Sequence, residues 1–188
     1  MVPLSSGVLL IANPELPDPN FDRTVLLILA HGHGGSLGVV LNRPGTLKVA
    51  DHLSEWDSTL VGDGVVFDGG PVNKEASIGL GVRNGRSSGA LPEAVMSEVF
   101  PDVGIVDLTR PPDEDRRALC ALRVFVGYAG WSPGQLMGEV ESGGWWIVTA
   151  QASDVTTDRP RSLWRDVLRR QRGSLALVSS YSKAPELN

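Results

Sequence analysis

The residues best suited to chemistry in this sequence lie beside two predicted strand ends. Asp18, Asp22 and Arg23 belong to a proline-rich loop that precedes the apolar run "TVLLILA". Asn42 and Arg43 follow a second apolar run, "LGVVL". Two guanidinium groups near carboxylates suit either of two roles: an ion-pair network that holds a stiff loop, or a small pocket that binds an anionic group.

A predicted β-hairpin decides which of these side chains can meet. The apolar runs at 24–31 and 37–44 are predicted to be two buried strands, and the glycine turn "HGHGGS" joins them. The hairpin places Arg23 near Arg43 and leaves His31 at the turn, about 26 Å away at the rise of a strand. The five residues named above can therefore share a site that excludes His31.

A predicted helix start supplies two further candidates for that site. In "WSPGQLMGEVESGG", Ser132 is the predicted N-cap, Pro133 the first helical residue, Gln135 the capping-box partner and Gly143 the C-terminal stop. Because a helix N-terminus can bind an anion, Trp131 and Gln135 join the candidate pocket if this helix faces the two arginines.

The segment "DRPRSLWRDVLRRQR", residues 158–172, is the most basic part of the chain, with six arginines against two aspartates. We predict an amphipathic helix over 162–171 in this segment. Four of the arginines are spaced for one helical face: Arg161, Arg165, Arg169 and Arg172. Such a face could bind phosphates, an acidic partner or the acidic first half of the chain. The alternative is a solvated face whose charges pair with one another.

Three other patterns resemble catalytic or metal sites but have structural explanations. Ser36 lies in a G-x-S-x-G pattern. A nucleophile elbow requires a helix after the serine, whereas the sequence predicts a strand there. His31 and His33 lie in a turn without a third ligand at regular spacing, so we predict no metal site and expect His31 to close the hairpin through a hydrogen bond. Cys120, in an apolar strand, is expected to be a buried small side chain.

Composition limits the class of protein. The chain has 188 residues, a net charge of −5 and one cysteine, which predicts one cytoplasmic domain over 1–188 with a frayed tail from about 182. The acidic balance does not favour nucleic-acid binding. The apolar runs fall short of the ~20 residues that span a bilayer, and the N-terminus lacks a basic leader region. Strands in adjacent runs favour an α+β fold.

Four segments carry a resemblance to a known family. "GVLLIANPELPDPNFDRTVLLILAH", "GSLGVVLNRP", "DGGPV" and "VFVGYAGWSPGQLMGEV" together, in this order, resemble the bacterial YqgE/AlgH family. The resemblance implies a single compact α+β domain, with a forked, mostly antiparallel sheet curled into a pseudo-barrel and helices packed outside. It also implies a role in transcriptional regulation, without an established enzymatic activity or cofactor.

These observations predict a binding or regulatory module that needs no cofactor and catalyses no reaction. Its partner would be a protein or an anionic small molecule. One alternative is an enzyme with an anionic pocket, in which His31 or Asp22 would act as the base. Two others are binding of nucleic acid or an acidic partner through the arginine-rich helix, and a purely structural role for the polar residues at the strand ends.

Overall fold

Long apolar runs form the central strands of one large sheet. The computed structural model describes residues 2–83, 96–109 and 119–180. The strands in these ranges are β1 (Val8–Ala12), β2 (Val25–Gly32), β3 (Gly35–Val40), β4 (Pro44–Lys48), β5 (Val65–Asp68), β6 (Val72–Arg83), β7 (Met96–Phe100), β8 (Val103–Val106), β9 (Leu119–Trp131) and β10 (Trp145–Thr149). Short helices follow: α1 (Gln135–Glu141), α2 (Ala152–Thr156), α3 (Leu163–Arg169) and α4 (Ser174–Val178).

The sheet forks along β9. Its main path runs β10-β1-β2-β3-β9-β6-β8-β7, and these neighbours are antiparallel. β3 pairs with residues 129–131 of β9, whereas β5 pairs in parallel with residues 125–126 and carries β4 on its other edge. Gly69 joins the two branches, because its N–H donates to the Val126 carbonyl and its carbonyl accepts from the Val40 N–H. The sheet curls into a half barrel, which confirms the α+β prediction.

A close backbone approach at the fork explains the sequence "DGGPV". A Cβ atom on Gly70 would lie 2.3 Å from the carbonyl carbon of Tyr128, and the φ angle of Gly70 is +149°. Both the contact and the backbone conformation exclude larger side chains. Glycine at this position therefore lets the chain cross from β5 into β6 against β9.

Both faces of the inner strands are covered, which explains why their sequences are apolar without alternation. Leu9 and Leu27 face a core that includes Phe125 and the α3 residues Trp164 and Leu168. The neighbouring residues of the same strands, Leu10, Leu26 and Ile28, face a second core, which lies under α1. This core also includes Trp131 of β9 and Leu136 of α1. The predicted hairpin is confirmed, with Leu26 opposite Val40 and Gly32 opposite Gly35.

The predicted helix start, with N-cap Ser132 and first helical residue Pro133, is corrected by two residues. Gly134 has a left-handed φ of +76°, so α1 begins only at Gln135. The capping interaction itself is present, because the Gln135 side-chain oxygen accepts from the Ser132 N–H at 3.0 Å. Gly143, with a φ of +84°, follows the helix end as predicted.

The arginine-rich helix is also shorter than predicted. α3 covers only Leu163–Arg169, while Arg161 lies in a 3-10 turn before it and Arg172 lies after its C-cap residue. The four arginines therefore do not form one continuous helical face. The tail predicted to fray from about 182 lies outside the described residues.

Candidate functional site

The hairpin brings Arg23 and Asn42 into contact, as the strand spacing predicts. The Asn42 amide donates to the Arg23 carbonyl at 2.9 Å, and its side-chain oxygen accepts from the Val25 N–H at 2.9 Å. Asn42 thus clamps the end of the loop to the start of β2. Asp18 has a local role as well, since its carboxylate accepts from the Asn20 N–H and caps the turn at 19–21.

The other charged residues of the loop face different elements. The Arg23 guanidinium lies over the ring of Trp164, 5.4 Å from its centre, and Arg23 has a φ of +50°. The Arg43 carbonyl accepts from the Asp68 N–H and so joins β4 to β5. Asp22 is half-buried beside Arg23. A shared binding site of Asp18, Asp22, Arg23, Asn42 and Arg43 stays a prediction, because none of them lines either of the two cavities described below.

Trp131 and Gln135 belong to a hydrogen-bonded cluster centred on Glu139 of α1. The Glu139 carboxylate accepts from the indole N–H of Trp131 at 3.0 Å, from that of Trp145 at 2.8 Å and from the Gln135 amide at 3.0 Å. The ring of Phe21 lies 6.1 Å from the Trp131 ring and 5.3 Å from the Trp145 ring. Each of these polar groups thus has a structural partner, and a ligand-binding role for Trp131 and Gln135 also stays a prediction.

The cavity with a buried charge lies elsewhere. It has a volume of about 420 Å³ and is bounded on one side by β4, β5 and the loop before β5, and on the other by residues 157–162. Apolar side chains in its lining include Val61, Val65 and Phe67. We call this the Arg123 cavity, because Arg123 of β9 is its buried charged residue.

Arg123 is only 3% exposed, although its side chain carries a positive charge. The guanidinium lies over the Phe67 ring, 4.3 Å from the ring centre, and its Nη2 atom donates to the Thr157 carbonyl at 2.7 Å. Its Nε and Nη1 atoms are buried and have no acceptor in the described part of the protein. Burial lowers the pKa of Arg123 to about 10. Because no carboxylate of the described residues forms an ion pair with Arg123, the charge is held at a cost in free energy.

The remaining charges of the Arg123 cavity are at its exposed side. Arg159 lies 4.0 Å from the Asp158 carboxylate and 3.8 Å from that of Asp166, so it already has acidic neighbours. Arg161 and Asp63 are exposed residues of the same lining. The arrangement is one isolated buried cation below a mixed, solvent-accessible set of charges. This arrangement of charges can bind the acidic group of a ligand.

Sequence reasoning missed Arg123, although a signal for it exists. It is the single charge within the run "LCALRVFVGYAGW" that forms β9. A charged residue in a buried strand requires a partner or a function. Nothing local in the sequence reveals that its partner is a carbonyl 34 residues away, at Thr157.

Comparisons with known proteins identify the family. The model of the AlgH-like family matches residues 9–176. The UPF0301 protein SCO2948 of Streptomyces coelicolor is 48% identical over 183 residues, which are 97% of this chain and 95% of that protein. This chain belongs to the AlgH-like family.

Two solved structures agree with the fold. Protein DIP2367 from Corynebacterium diphtheriae is 30% identical, with a TM-score of 0.89 over 96% of this chain and 94% of that one. The solution structure of AlgH from Pseudomonas aeruginosa has a TM-score of 0.63 at 23% identity, covers 97% of this chain and 100% of that one, and supports the fold alone. Among the sequence relatives, a UPF0301 protein of Mycobacterium tuberculosis is 39% identical over 94% of this chain and 87% of that protein.

The segments that carry the AlgH-like resemblance contact one another in the fold. The D-P-x-F-x-R loop supplies Phe21, and the G-W-x-P-G-Q-L segment supplies Trp131 and Gln135, which meet around Glu139. The L-N-R-P segment supplies Asn42, which clamps the loop to β2. These residues have a structural role that accounts for their types.

The cluster around Glu139 gives a testable prediction in this AlgH-like chain. Replacing Glu139 by alanine leaves two largely buried indole N–H groups without their acceptor, so we expect a loss of about 2 kcal/mol in the free energy of unfolding, measured with urea. Glu141→Ala, an exposed change in the same helix, is the matched control. Equal stability of the two variants would contradict the role given to Glu139.

His31 and Ser36 form the expected hairpin contact. They are opposite each other in the β2–β3 pair, and the His31 Nδ1 atom lies 2.8 Å from the Ser36 hydroxyl. The strand β3 includes Ser36, so the geometry of a nucleophile elbow is absent there.

The expectation that Cys120 is buried is wrong. Its side chain is exposed, because the residues of β9 alternate between the two faces of the sheet at this point.

The basic segment pairs partly with its own acidic residues. Arg169 lies 3.4 Å from the Asp166 carboxylate, Arg165 and Arg172 are exposed, and Arg161 lines the Arg123 cavity. A second cavity, of about 450 Å³, is lined by Arg159, Arg169 and residues of α2 and α3. Binding of nucleic acid or an acidic partner by Arg161, Arg165, Arg169 and Arg172 stays a prediction.

Among residues 2–83, 96–109 and 119–180, no helix is long and apolar enough to cross a membrane. Within the same ranges, no group of three or more His, Cys, Asp and Glu side chains has an arrangement that could hold a metal ion.

Proposed function

We propose that this AlgH-like protein is a binding module that holds a small anion in the Arg123 cavity. The observation that carries the proposal is the buried guanidinium, which has two nitrogen atoms without an acceptor and no ion pair with a carboxylate among residues 2–83, 96–109 and 119–180. Buried polar groups in native proteins nearly always have partners. A bound anion would accept charge-assisted hydrogen bonds from Arg123 and offset the cost of its burial.

Binding suits this cavity better than catalysis does. The acidic residues of its described lining, Asp63 and Asp158, are exposed, and the lining residues that the structure describes include neither histidine nor cysteine. A buried general base next to Arg123 would favour an enzyme, and the described lining offers none. The roles in transcriptional regulation and the cytoplasmic location stay predictions from the sequence and the resemblance.

The position of the cavity suits a regulatory module. One wall belongs to β4 and β5, and the other belongs to the segment that leads into α3. An anion bound between them would link the C-terminal helices to the sheet. A ligand that binds only the folded state stabilises it by an amount that grows with the logarithm of the ligand concentration above Kd.

Thermal unfolding of the full chain with sodium acetate, sodium phosphate and sodium phenylacetate tests this proposal. At constant ionic strength, we expect at least one of these anions to raise the Tm with the logarithmic dependence on concentration that binding to one site of the folded state gives, and we expect Arg123→Met to abolish that increase. Lys74→Met is the matched control, because it removes one positive charge from a half-exposed side chain outside the cavity lining. The control is expected to respond like the natural protein.

Three results would overturn the proposed function. The first is that none of the three anions raises the Tm at constant ionic strength, the second is that the Tm rises linearly with anion concentration instead of logarithmically, and the third is that Arg123→Met retains the full response. Since Arg123→Met could change stability by itself, the comparison uses the ligand-induced change in Tm of each variant and not the Tm itself.

A further inference from the structure

The lining of the Arg123 cavity restricts which anions fit it. We infer that the ligand class is a small carboxylic acid with an apolar or aromatic body, bound as a monoanion. This inference rests on the proposed function and names the chemistry of its ligand.

The charge balance of the cavity favours a single negative charge. Arg123 is the buried cation of its lining, and it is 3% exposed. Arg159, at the exposed side, already faces Asp158 and Asp166. With the exposed Arg161, three cations of the described lining face the two carboxylates of Asp63 and Asp158. A second negative charge on the ligand would approach these carboxylates without a second buried cation to offset it. A phosphate dianion is disfavoured for this reason.

The shape of the cation favours a carboxylate. A guanidinium is planar and presents its N–H groups in the plane, which matches the plane of a carboxylate group. The ring of Phe67 already covers one face of the Arg123 guanidinium at 4.3 Å. An acidic group must therefore approach the guanidinium in its plane, at Nη1 or at Nε, which lie on different edges and have no acceptor among the described residues.

The rest of the lining favours an apolar body. Val61, Val65 and Phe67 line the sheet side of the cavity, and Pro44 and Pro160 lie in the same lining. The volume of about 420 Å³ falls within the range of small-molecule sites, which are mostly apolar with a few polar groups that fix orientation. An apolar body gains free energy by leaving water for these walls, whereas a sugar or a polyol would lose hydrogen bonds there.

Calorimetric titration of the full chain with four probes tests the inference. The probes are phenylacetate, its neutral analogue 2-phenylacetamide, phenyl phosphate and inorganic phosphate. We expect phenylacetate to bind at least about tenfold more tightly than either phosphate probe and the neutral amide, because it alone matches both the charge and the apolar walls. Arg123→Met is expected to remove the difference between phenylacetate and the amide.

A second variant tests the apolar body separately from the charge. Val65→Thr changes one wall at nearly constant volume and leaves Arg123 in place. We expect it to weaken phenylacetate binding about threefold to tenfold and to leave acetate binding unchanged, because acetate has too little body to touch Val65. Equal weakening of both ligands would overturn the assignment of this wall.

The outcomes separate this inference from the proposed function. If inorganic phosphate or phenyl phosphate binds as tightly as phenylacetate and needs Arg123, the cavity is an anion site but the ligand class named here is wrong. If 2-phenylacetamide binds as tightly as phenylacetate, the acidic group is not required and the inference fails. If none of the four probes nor acetate binds, both the inference and the proposed function fail.

Discussion

Replacing Arg123 by methionine is expected to stabilise the folded protein by about 1 to 3 kcal/mol in the absence of a ligand at neutral pH. Burial lowers the pKa of Arg123 to about 10, and that reduction corresponds to roughly 3 kcal/mol against the charged form in the folded state. Methionine matches only the aliphatic stem of arginine and has no charge, so it removes this cost. It also removes the hydrogen bond to Thr157 and the contact with the Phe67 ring, which reduces the gain.

Urea unfolding of the natural protein, Arg123→Met and the charge-matched control Lys74→Met measures this effect. We expect Lys74→Met to stay within about 0.5 kcal/mol of the natural protein, because exposed ion pairs contribute little. If Arg123→Met is instead less stable by more than about 1 kcal/mol, the guanidinium contributes to the fold, and its burial is no argument for a ligand.

The pH dependence of the same difference has a defined sign. Below pH 10 the folded and the unfolded state both hold the Arg123 proton, so the cost of burying the charge is fully present. As pH rises above the folded-state pKa of about 10, the folded state releases the proton while the unfolded state still holds it, and the natural protein gains stability. The advantage of Arg123→Met should therefore shrink between about pH 10 and pH 12. An advantage that grows over this range would contradict the assigned cause.

Replacing Asp154 by alanine is expected to destabilise the protein by about 3 kcal/mol. Asp154 is 2% exposed, and its carboxylate forms an ion pair with Arg170 while it accepts from the Gln151 N–H at 2.8 Å. Arg170 in turn donates to the Thr149 carbonyl at 3.0 Å. These bonds join the end of β10, the start of α2 and the residue that follows α3. Without the carboxylate, the Arg170 charge loses its partner and the first turn of α2 loses its cap.

Two comparisons make this second prediction specific. Asp158→Ala, at an aspartate whose side chain is 87% exposed, is expected to change the free energy of unfolding by less than about 0.5 kcal/mol. The double variant Asp154→Ala with Arg170→Met is expected to recover part of the loss, because it removes the unpaired charge as well. If Asp154→Ala is as stable as Asp158→Ala in urea unfolding, the buried ion pair does not hold the C-terminal helices to the sheet.

The strands of the sheet could be predicted from the sequence where consecutive residues are all buried. The runs of β1, β2 and β3 are apolar without alternation because cores cover both of their faces, and the glycine turn between β2 and β3 specifies a hairpin. Turn residues also predicted the end of α1 at Gly143. The start of α1 was misplaced because a proline after serine favours a helix start locally, while the left-handed Gly134 delays it.

The Arg123 cavity could not be predicted from local patterns. Its two walls come from residues 44–67 and 157–162, which lie about a hundred residues apart in the sequence. Glu139 was missed for the same reason, because its indole partner Trp131 lies before the helix and Trp145 after it. The prediction that four arginines share one helical face was wrong, because residue spacing alone assumes a continuous helix, whereas α3 ends at Arg169.

The most direct test of the Arg123 cavity is the Nε–H resonance of Arg123 in the full chain, recorded by nuclear magnetic resonance with labelled arginine and assigned by its absence in Arg123→Met. Titration with phenylacetate is expected to shift this resonance in a saturable way and to leave those of the exposed Arg165 and Arg172 unchanged. A resonance of Arg123 that does not move, or moves in proportion to added salt together with the exposed arginines, would contradict the existence of an anion site there.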